Sequence, residues 1–170
     1  MTGGNPRSAV RLTDDEDESP LPWSEARKRL VDGRFYWLAT MVDGGPHVRP
    51  VLAVWVSGVL HTTSGPRARK AAPLAAGGPC SLSLSTDGMD LVYEGEAVRI
   101  EDDVALEKIG AAYGEKYGWP VQVRDHAFHA PYGAPTAGPP PYEVYAVRPV
   151  KVFAFGTDDA LAPRSTRFSF

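Results

Sequence analysis

The sequence predicts a mainly β domain with flanking α-helices, its antiparallel strands curled into a barrel. Three observations carry this. Runs rich in β-branched and aromatic residues recur between tight Asp-Gly and Ser-Gly pairs, the pattern of antiparallel hairpins. Few stretches repeat their apolar residues at helical spacing, and those are short. A meander of about six strands would leave exposed edges ready to pair with other chains, and closing the sheet removes them.

The elements run in chain order. Trp23, Ala26, Leu30 and Val31 recur at helical spacing and Gly33 supplies a stop, so a short amphipathic helix is expected there. RFYWLATMV (34–42), HVRPVLAVWV (47–56) and VLHTT (59–63) are separated by Asp-Gly and Ser-Gly and read as successive strands. Pro50 lacks a backbone donor, which puts its strand at an edge or a bulge. In TTSGPRARKAAPLAAGGP (62–79), Pro66 suits the first position of a helix whose buried side is Leu74 and several alanines, ending at Gly77, Gly78 and Pro79. CSLSLS (80–85) and MDLVYEGEAVRI (89–100) form the next hairpin around Asp87-Gly88. Asp102 or Asp103 can cap a helix whose shared face holds Ala105, Ile109, Ala112 and Tyr113. The proline-rich stretch 126–141 reads as a loop rather than a strand, of a length that is often functional. A long strand broken at Pro149 (142–156) and a short last one (165–170) complete the sheet.

A chain of 170 residues is expected to be one domain, with enough length to bury a core without disulfides or metal. At 43% hydrophobic and 23% charged it falls in the ordinary globular range. The net charge of -3 argues against a general nucleic-acid binder, so any anion site must be local. Cys80 is the single cysteine, which leaves no intramolecular disulfide or thiolate cluster and points to the reducing cytoplasm. No stretch has the length and apolarity of a membrane span, so no membrane partner is expected. Residues 1–20, with the acidic run Asp14 to Glu18, are expected to be a mobile leader, and 21–170 the folded domain.

The chemistry concentrates at residues 62–70. Placed in the first turn of a helix, Arg67, Arg69 and Lys70 would each be disfavoured by about 0.3–1 kcal/mol at the positive end of the dipole. An anion would reverse that: outward N–H groups, the hydroxyls of Thr62, Thr63 and Ser64, and Arg69 or Lys70 make a phosphate site. The alternative is a solvated basic face paired with surface carboxylates. Elsewhere the signals are weaker. His126 and His129 could share a metal but lack a third ligand nearby, so no metal site is assigned. His47 and His61 read as packed strand residues, Tyr113, Tyr117 and Trp119 as core aromatics, and Cys80 as a buried small residue. No nucleophile with its base is evident, and no catalytic residue is assigned.

RPVLAVWV (49–56) and TTSGPRARK (62–70), in this order of helix, hairpin, phosphate segment, LVYEGEAVRI strand and late helix, resemble the pyridoxamine 5'-phosphate oxidase-like flavin-binding split barrels. The resemblance runs from about Trp23 to the end. It implies flavin mononucleotide (FMN), or in relatives the deazaflavin coenzyme F-420, in a groove between the subunits of a homodimer. Arg69 and Lys70, with one or two of Thr62, Thr63 and Ser64, would hold the phosphate. Arg49, Pro50, Val51 and Leu52 would face the ring system. Phe153 or Phe155 stands near the place of a family tryptophan, Arg167 near that of a substrate arginine but without its following histidine, and Asp90 where a glutamine meets the flavin from the partner subunit. The resemblance therefore implies an oxidoreductase acting on an unidentified small molecule rather than an oxidase that makes pyridoxal phosphate. The alternative is a non-catalytic split barrel that binds flavin or haem.

Overall fold

The computed structural model describes residues 4–13, 18–133 and 137–170. Strand β1 (Ser8–Arg11) and helix α1 (Trp23–Asp32) lead into β2 (Tyr36–Val42), β3 (Gly45–Val51), β4 (Ala53–Val56) and β5 (Val59–Ser64). Helix α2 (Ala71–Ala75), the hairpin of β6 (Pro79–Thr86) and β7 (Met89–Ile100), and helix α3 (Asp103–Tyr117) come next. A small hairpin of β8 (Gln122–Arg124) and β9 (Ala127–His129) precedes the long β10 (Glu143–Gly156) and β11 (Thr166–Ser169).

The main sheet is antiparallel in the order β1-β11-β10-β7-β6-β2-β3, with β5 paired to both β10 and β4. Strand β10 is long enough to serve two neighbours on one side, β5 along its first half and β11 along its second. Its ladder to β7 shifts register between Pro149 and Lys151, where proline has no N–H to give. Because β3 runs through Leu52 into β4, the chain joins the two ends of the sheet and closes it into a barrel. The turns obey their residues: Asp43-Gly44 and Ser57-Gly58 both have positive φ at both positions, the conformation that two-residue hairpins require.

Four expectations are corrected. The segment HVRPVLAVWV is two strands rather than one, because the Leu52 carbonyl leaves the ladder and accepts from the hydroxyls of Thr62 and Tyr113. The helix expected from Pro66 begins only at Ala71. A helix starting at Pro66 would place Pro73 in its interior, where the ring clashes with a preceding carbonyl; starting at Ala71 puts Pro73 in the first turn, whose N–H groups are unpaired anyway. Arg67, Arg69 and Lys70 therefore sit in the turns before the helix. Within the leader expected to be mobile, residues 7–12 are paired: β1 lies along β11, and Arg7 N and Leu12 N donate to Ser169 O and Ser165 O. This covers an edge that would otherwise be open. Of the acidic run only Glu18 is among the described residues. Lastly, the proline-rich loop contains β9 and a bridge between Phe128 and Tyr142. Phe128 is fully buried between Tyr113 and Trp119, which outweighs the local turn signals.

Two cores result. Inside the barrel lie Tyr36, Leu38, Leu82, Leu91, Tyr93 and Val152. Outside it, helix α3 buries Leu106, Ile109 and Tyr113 against Val54 and Val144, with Trp119, Phe128 and Tyr142. Strand alternation feeds both: Ala53, Leu60 and Val147 point in, while Val54, His61 and Ala146 point towards the helix side. The Asp102 side chain caps α3 by accepting from Ala105 N at 2.8 Å, and Gly118 at φ 66° ends it. Among the described residues no helix is long and apolar enough to cross a membrane.

Candidate functional site

A groove of about 670 Å³ opens where β3 parts from β4. Pro50, Val51 and Leu52 line it, and Tyr117, Trp119 and Tyr132 wall it on the side of α3. The wall is held from behind. The Tyr117 hydroxyl donates to Ala53 O at 2.8 Å and accepts from Ala53 N at 3.3 Å. Trp119 Nε1 donates to Tyr132 O at 2.9 Å while Tyr132 returns its hydroxyl to Gly118 O at 3.0 Å, which ties the loop to the end of α3.

The other side is cationic. Arg49, Arg69 and Lys70 line the groove together with His47. Arg69 is paired with Asp43 at 2.7 Å, but both side chains are mostly in water, 63% and 81% exposed, so the pair contributes little. Lys70 is half-buried and has no hydrogen-bond or carboxylate partner among the described residues. Burial pushes its pKa down, and the Arg49 guanidinium pushes it further. His47 is shifted the same way, by loss of water and then by Arg49, Arg69 and Lys70, and its Nδ1 has no partner. These cations repel one another, and the Asp43 carboxylate serves only Arg69. A bound anion would relieve that repulsion.

The structure thus brings Arg49, Pro50, Val51, Leu52, Thr63, Arg69 and Lys70 to one groove. It also chooses among the three hydroxyls. Thr62 is fully buried and donates to Leu52 O at 3.1 Å; Ser64, buried at 1% exposure, donates to Gly65 O at 3.2 Å. Thr63, with the opposite strand parity, faces the groove. Phe155 and Arg167 are not among its lining residues. Phe155 stands opposite Asp90, and Arg167 opposite Phe153, on the outer face of the far half of the sheet. His47 and Phe35 are groove residues that sequence reasoning missed, although His47 shares strand parity with Arg49. His126 pairs with Asp103 at 3.0 Å in the open, and among the described residues no three potential ligands come together for a metal. Burial raises the Cys80 thiol to about 11, so it is no ready nucleophile.

The family model described as pyridoxamine 5'-phosphate oxidase matches residues 22–156. The chain belongs to the pyridoxamine 5'-phosphate oxidase family. Its closed antiparallel sheet with few helices is that family's split barrel. Solved structures share this fold at low sequence identity. A conserved hypothetical protein from Mycobacterium tuberculosis is 17% identical with a TM-score of 0.63, over 85% of this chain and 90% of that one. A FAD-binding protein from Mesorhizobium loti is 17% identical with a TM-score of 0.57, over 88% and 95%. A haem-binding protein from Mycobacterium smegmatis is 18% identical with a TM-score of 0.62, over 89% of this chain and 59% of that one. At these identities the likeness is one of fold. No curated protein matches the sequence.

Proposed function

We propose that the chain is a homodimeric oxidoreductase that holds FMN in this groove and moves two electrons to or from a small molecule. The carrying observation is Lys70, half-buried beside Arg49 with no carboxylate partner among the described residues. A phosphate monoester supplies the missing charge, with Arg69 and the Thr63 hydroxyl within the same rim. Pro50, Val51 and Leu52 offer apolar lining beside which a ring system can lie, and Tyr117 and Trp119 help to keep water off it. When bound, a flavin supplies the redox chemistry; the residues of this chain bind, orient and neutralise it. Coenzyme F-420 also carries a phosphate, so the same cations admit it as the alternative cofactor.

The second subunit is argued from the outer face of the sheet. Trp37, Met41 and Phe155 are 53%, 52% and 40% exposed, and Val48 is also open. Ladder partners link them on one face, from Pro50 to Trp37, Ser83, Val92 and Phe153. An apolar face of this extent calls for a partner, and Pro50 joins it to the groove. A second copy seated there would carry its own Phe155, Asp90 and Arg167 towards the groove of the first. That accounts for their absence from the groove of their own chain.

One observation favours haem as a second reading: His47 lines the groove, and loss of water followed by the neighbouring Arg49, Arg69 and Lys70 pushes its pKa down, which favours the neutral imidazole that ligates iron. Absorbance of the purified protein, followed by titration with FMN, coenzyme F-420 and haem, separates the readings. A bound flavin or deazaflavin reducible by a nicotinamide or a substrate supports the oxidoreductase, and a Soret band supports haem. Failure of flavin and deazaflavin alike to bind at micromolar concentration refutes the proposal.

A further inference from the structure

Lys116 is a half-buried cation that the flavin reading does not use. Tyr113, Lys116 and Tyr117 stand three and four residues apart in α3, on the helix face turned to the corner where β3 gives way to β4. Among the described residues β4 pairs only with β5, so at Ala53 no strand takes the backbone groups of its other edge. Side chains of α3 take them instead. The Tyr113 hydroxyl donates to Leu52 O at 3.1 Å, and the Tyr117 hydroxyl donates to Ala53 O at 2.8 Å and accepts from Ala53 N at 3.3 Å. Lys116 Nζ gives Ala53 O a second hydrogen bond at 3.0 Å. Leu52 and Tyr117 both line the cationic groove, so this corner sets part of its shape.

The same ammonium reaches across to α1. It donates to Val31 O at 2.9 Å and to the Tyr36 hydroxyl at 3.0 Å. Val31 carries one of the last four carbonyls of its helix, which lack a partner within it and sit at the negative end of the dipole, where a cation is favoured. The rings of Tyr36 and Tyr117 lie 5.1 and 5.4 Å from Nζ and complete a cage. Tyr36 accepts here, because its own hydrogen goes to Leu30 O at 2.5 Å or Gly33 O at 2.9 Å. All three N–H groups of the ammonium are therefore engaged, by Val31 O, Tyr36 Oη and Ala53 O. A neutral amine has two N–H groups and must release one of these acceptors. Burial lowers the pKa of Lys116 to about 8, against the pull of Asp32 and with a smaller push from Arg34, so the release falls in an accessible range. Of the other groups around Nζ, Asp32, paired with Lys28 at 2.7 Å, and Arg34 are of types that titrate far from that range. Burial raises Tyr36, Tyr113 and Tyr117, the last to about 12, and β4 presents only backbone.

We propose that Lys116 is a positioning residue for the groove: its ammonium clamps the Leu52–Ala53 corner and Tyr117 to the end of α1 and so holds the walls that meet the flavin. The ligand rests on the flavin reading, but the corner is tested without it. In NMR spectra of the free full chain the Ala53 carbonyl carbon should titrate with a midpoint near pH 8. In Lys116→Arg, which keeps its charge throughout, it should not. A carbonyl that does not respond, or responds equally in Lys116→Arg, overturns the proposal whether or not flavin binds. FMN titrations then connect the corner to the groove. Between about pH 7 and about pH 9.5, FMN binding should weaken about three- to tenfold more in the wild type than in Lys116→Arg, the effect of one hydrogen bond. Lys70 is present in both proteins, so its own titration cancels in the comparison. By reciprocity, FMN should raise the midpoint at Ala53 by about half to one pH unit. Lys116→Met, with no N–H to give, should bind FMN about tenfold more weakly at neutral pH and show no titration at Ala53, which keeps the test decisive if Lys116→Arg does not fold. Equal pH dependence in wild type and Lys116→Arg, or full affinity in Lys116→Met, overturns the proposal. If the wild type binds no FMN, the flavin reading fails and the Ala53 titration alone decides the role of Lys116.

Discussion

Replacing Lys70 by methionine removes a charge while keeping an unbranched, mostly apolar side chain, and it separates a ligand-binding lysine from a structural one. In the free protein the ammonium is already disfavoured, by burial first and by Arg49 second. A folded-state pKa below the unfolded one means that the unfolded chain holds the proton more tightly. The charge therefore opposes folding at neutral pH, and the penalty is relieved only as pH rises towards the ordinary lysine range. Loss of the charge should leave the melting temperature of the free protein unchanged or slightly raised. In the proposed complex the same lysine would make a charge-assisted hydrogen bond to phosphate, a type of bond that contributes about 1.5–3 kcal/mol. Losing it should weaken FMN binding by about ten- to 150-fold. Arg69→Met should cost less, because Arg69 is largely solvated and gives up Asp43 to bind the phosphate. Flavin fluorescence titration gives the affinities and thermal unfolding gives the stability. An unchanged FMN affinity in Lys70→Met, together with a melting temperature lowered by more than about 3 °C, which is near 1 kcal/mol for a domain of this size, would refute the reasoning.

Further consequences are open to the same kind of test. Because His61 has a pKa of about 4 in the folded protein and 6.5 when free, the unfolded chain takes up a proton that the native state refuses as pH falls between those values. Stability should be greatest above pH 6.5 and fall by up to about 3 kcal/mol towards pH 4; denaturant unfolding at the two ends measures it, and His61→Leu should flatten the dependence. A Cβ on Gly95 would stand 2.1 Å from Arg148 O, backbone against backbone beside the register shift at Pro149. Gly95→Ala should cost about 3 kcal/mol in the same assay, and a loss below about 1 kcal/mol would mean that the strand pair yields there. Trp37→Glu places a charge in the exposed apolar face and should yield monomers with weakened FMN binding; sedimentation that still finds dimers would move the interface elsewhere.

The β architecture was readable because its signals are local. Asp43-Gly44 and Ser57-Gly58 adopt positive φ angles that suit two-residue hairpins, and Pro50 did fall on a strand with a single neighbour, β3 beside β2. Asp102 and Gly118 bounded α3 for equally local reasons. The cationic segment 62–70 stands out by its charges, but its helix starts at Ala71 rather than Pro66, since the effect of Pro73 on where the helix can start is weaker in the pattern than that of Pro66. Strand parity could have singled out Thr63 from Thr62 and Ser64, but the inward side of β5 is known only once its neighbours are known.

Turn dihedrals, strand periodicity and the order of charges are properties of neighbours along the chain, so the antiparallel sheet and the cluster of cations at residues 67–70 could be read from the residues in order. Which of those residues meet was settled by tertiary packing. It buried Lys70 beside Arg49, set Phe155 and Arg167 on the far face, and left His61 Nδ1 without a hydrogen-bond partner behind α3. It also brought Lys116 Nζ to the Val31 carbonyl, the Tyr36 hydroxyl and the Ala53 carbonyl at 2.9–3.0 Å, lowering its pKa to about 8 as burial outweighs the pull of Asp32. Each of these depends on how residues far apart in sequence share low-dielectric space, and desolvation and mutual repulsion exist only once that space has formed.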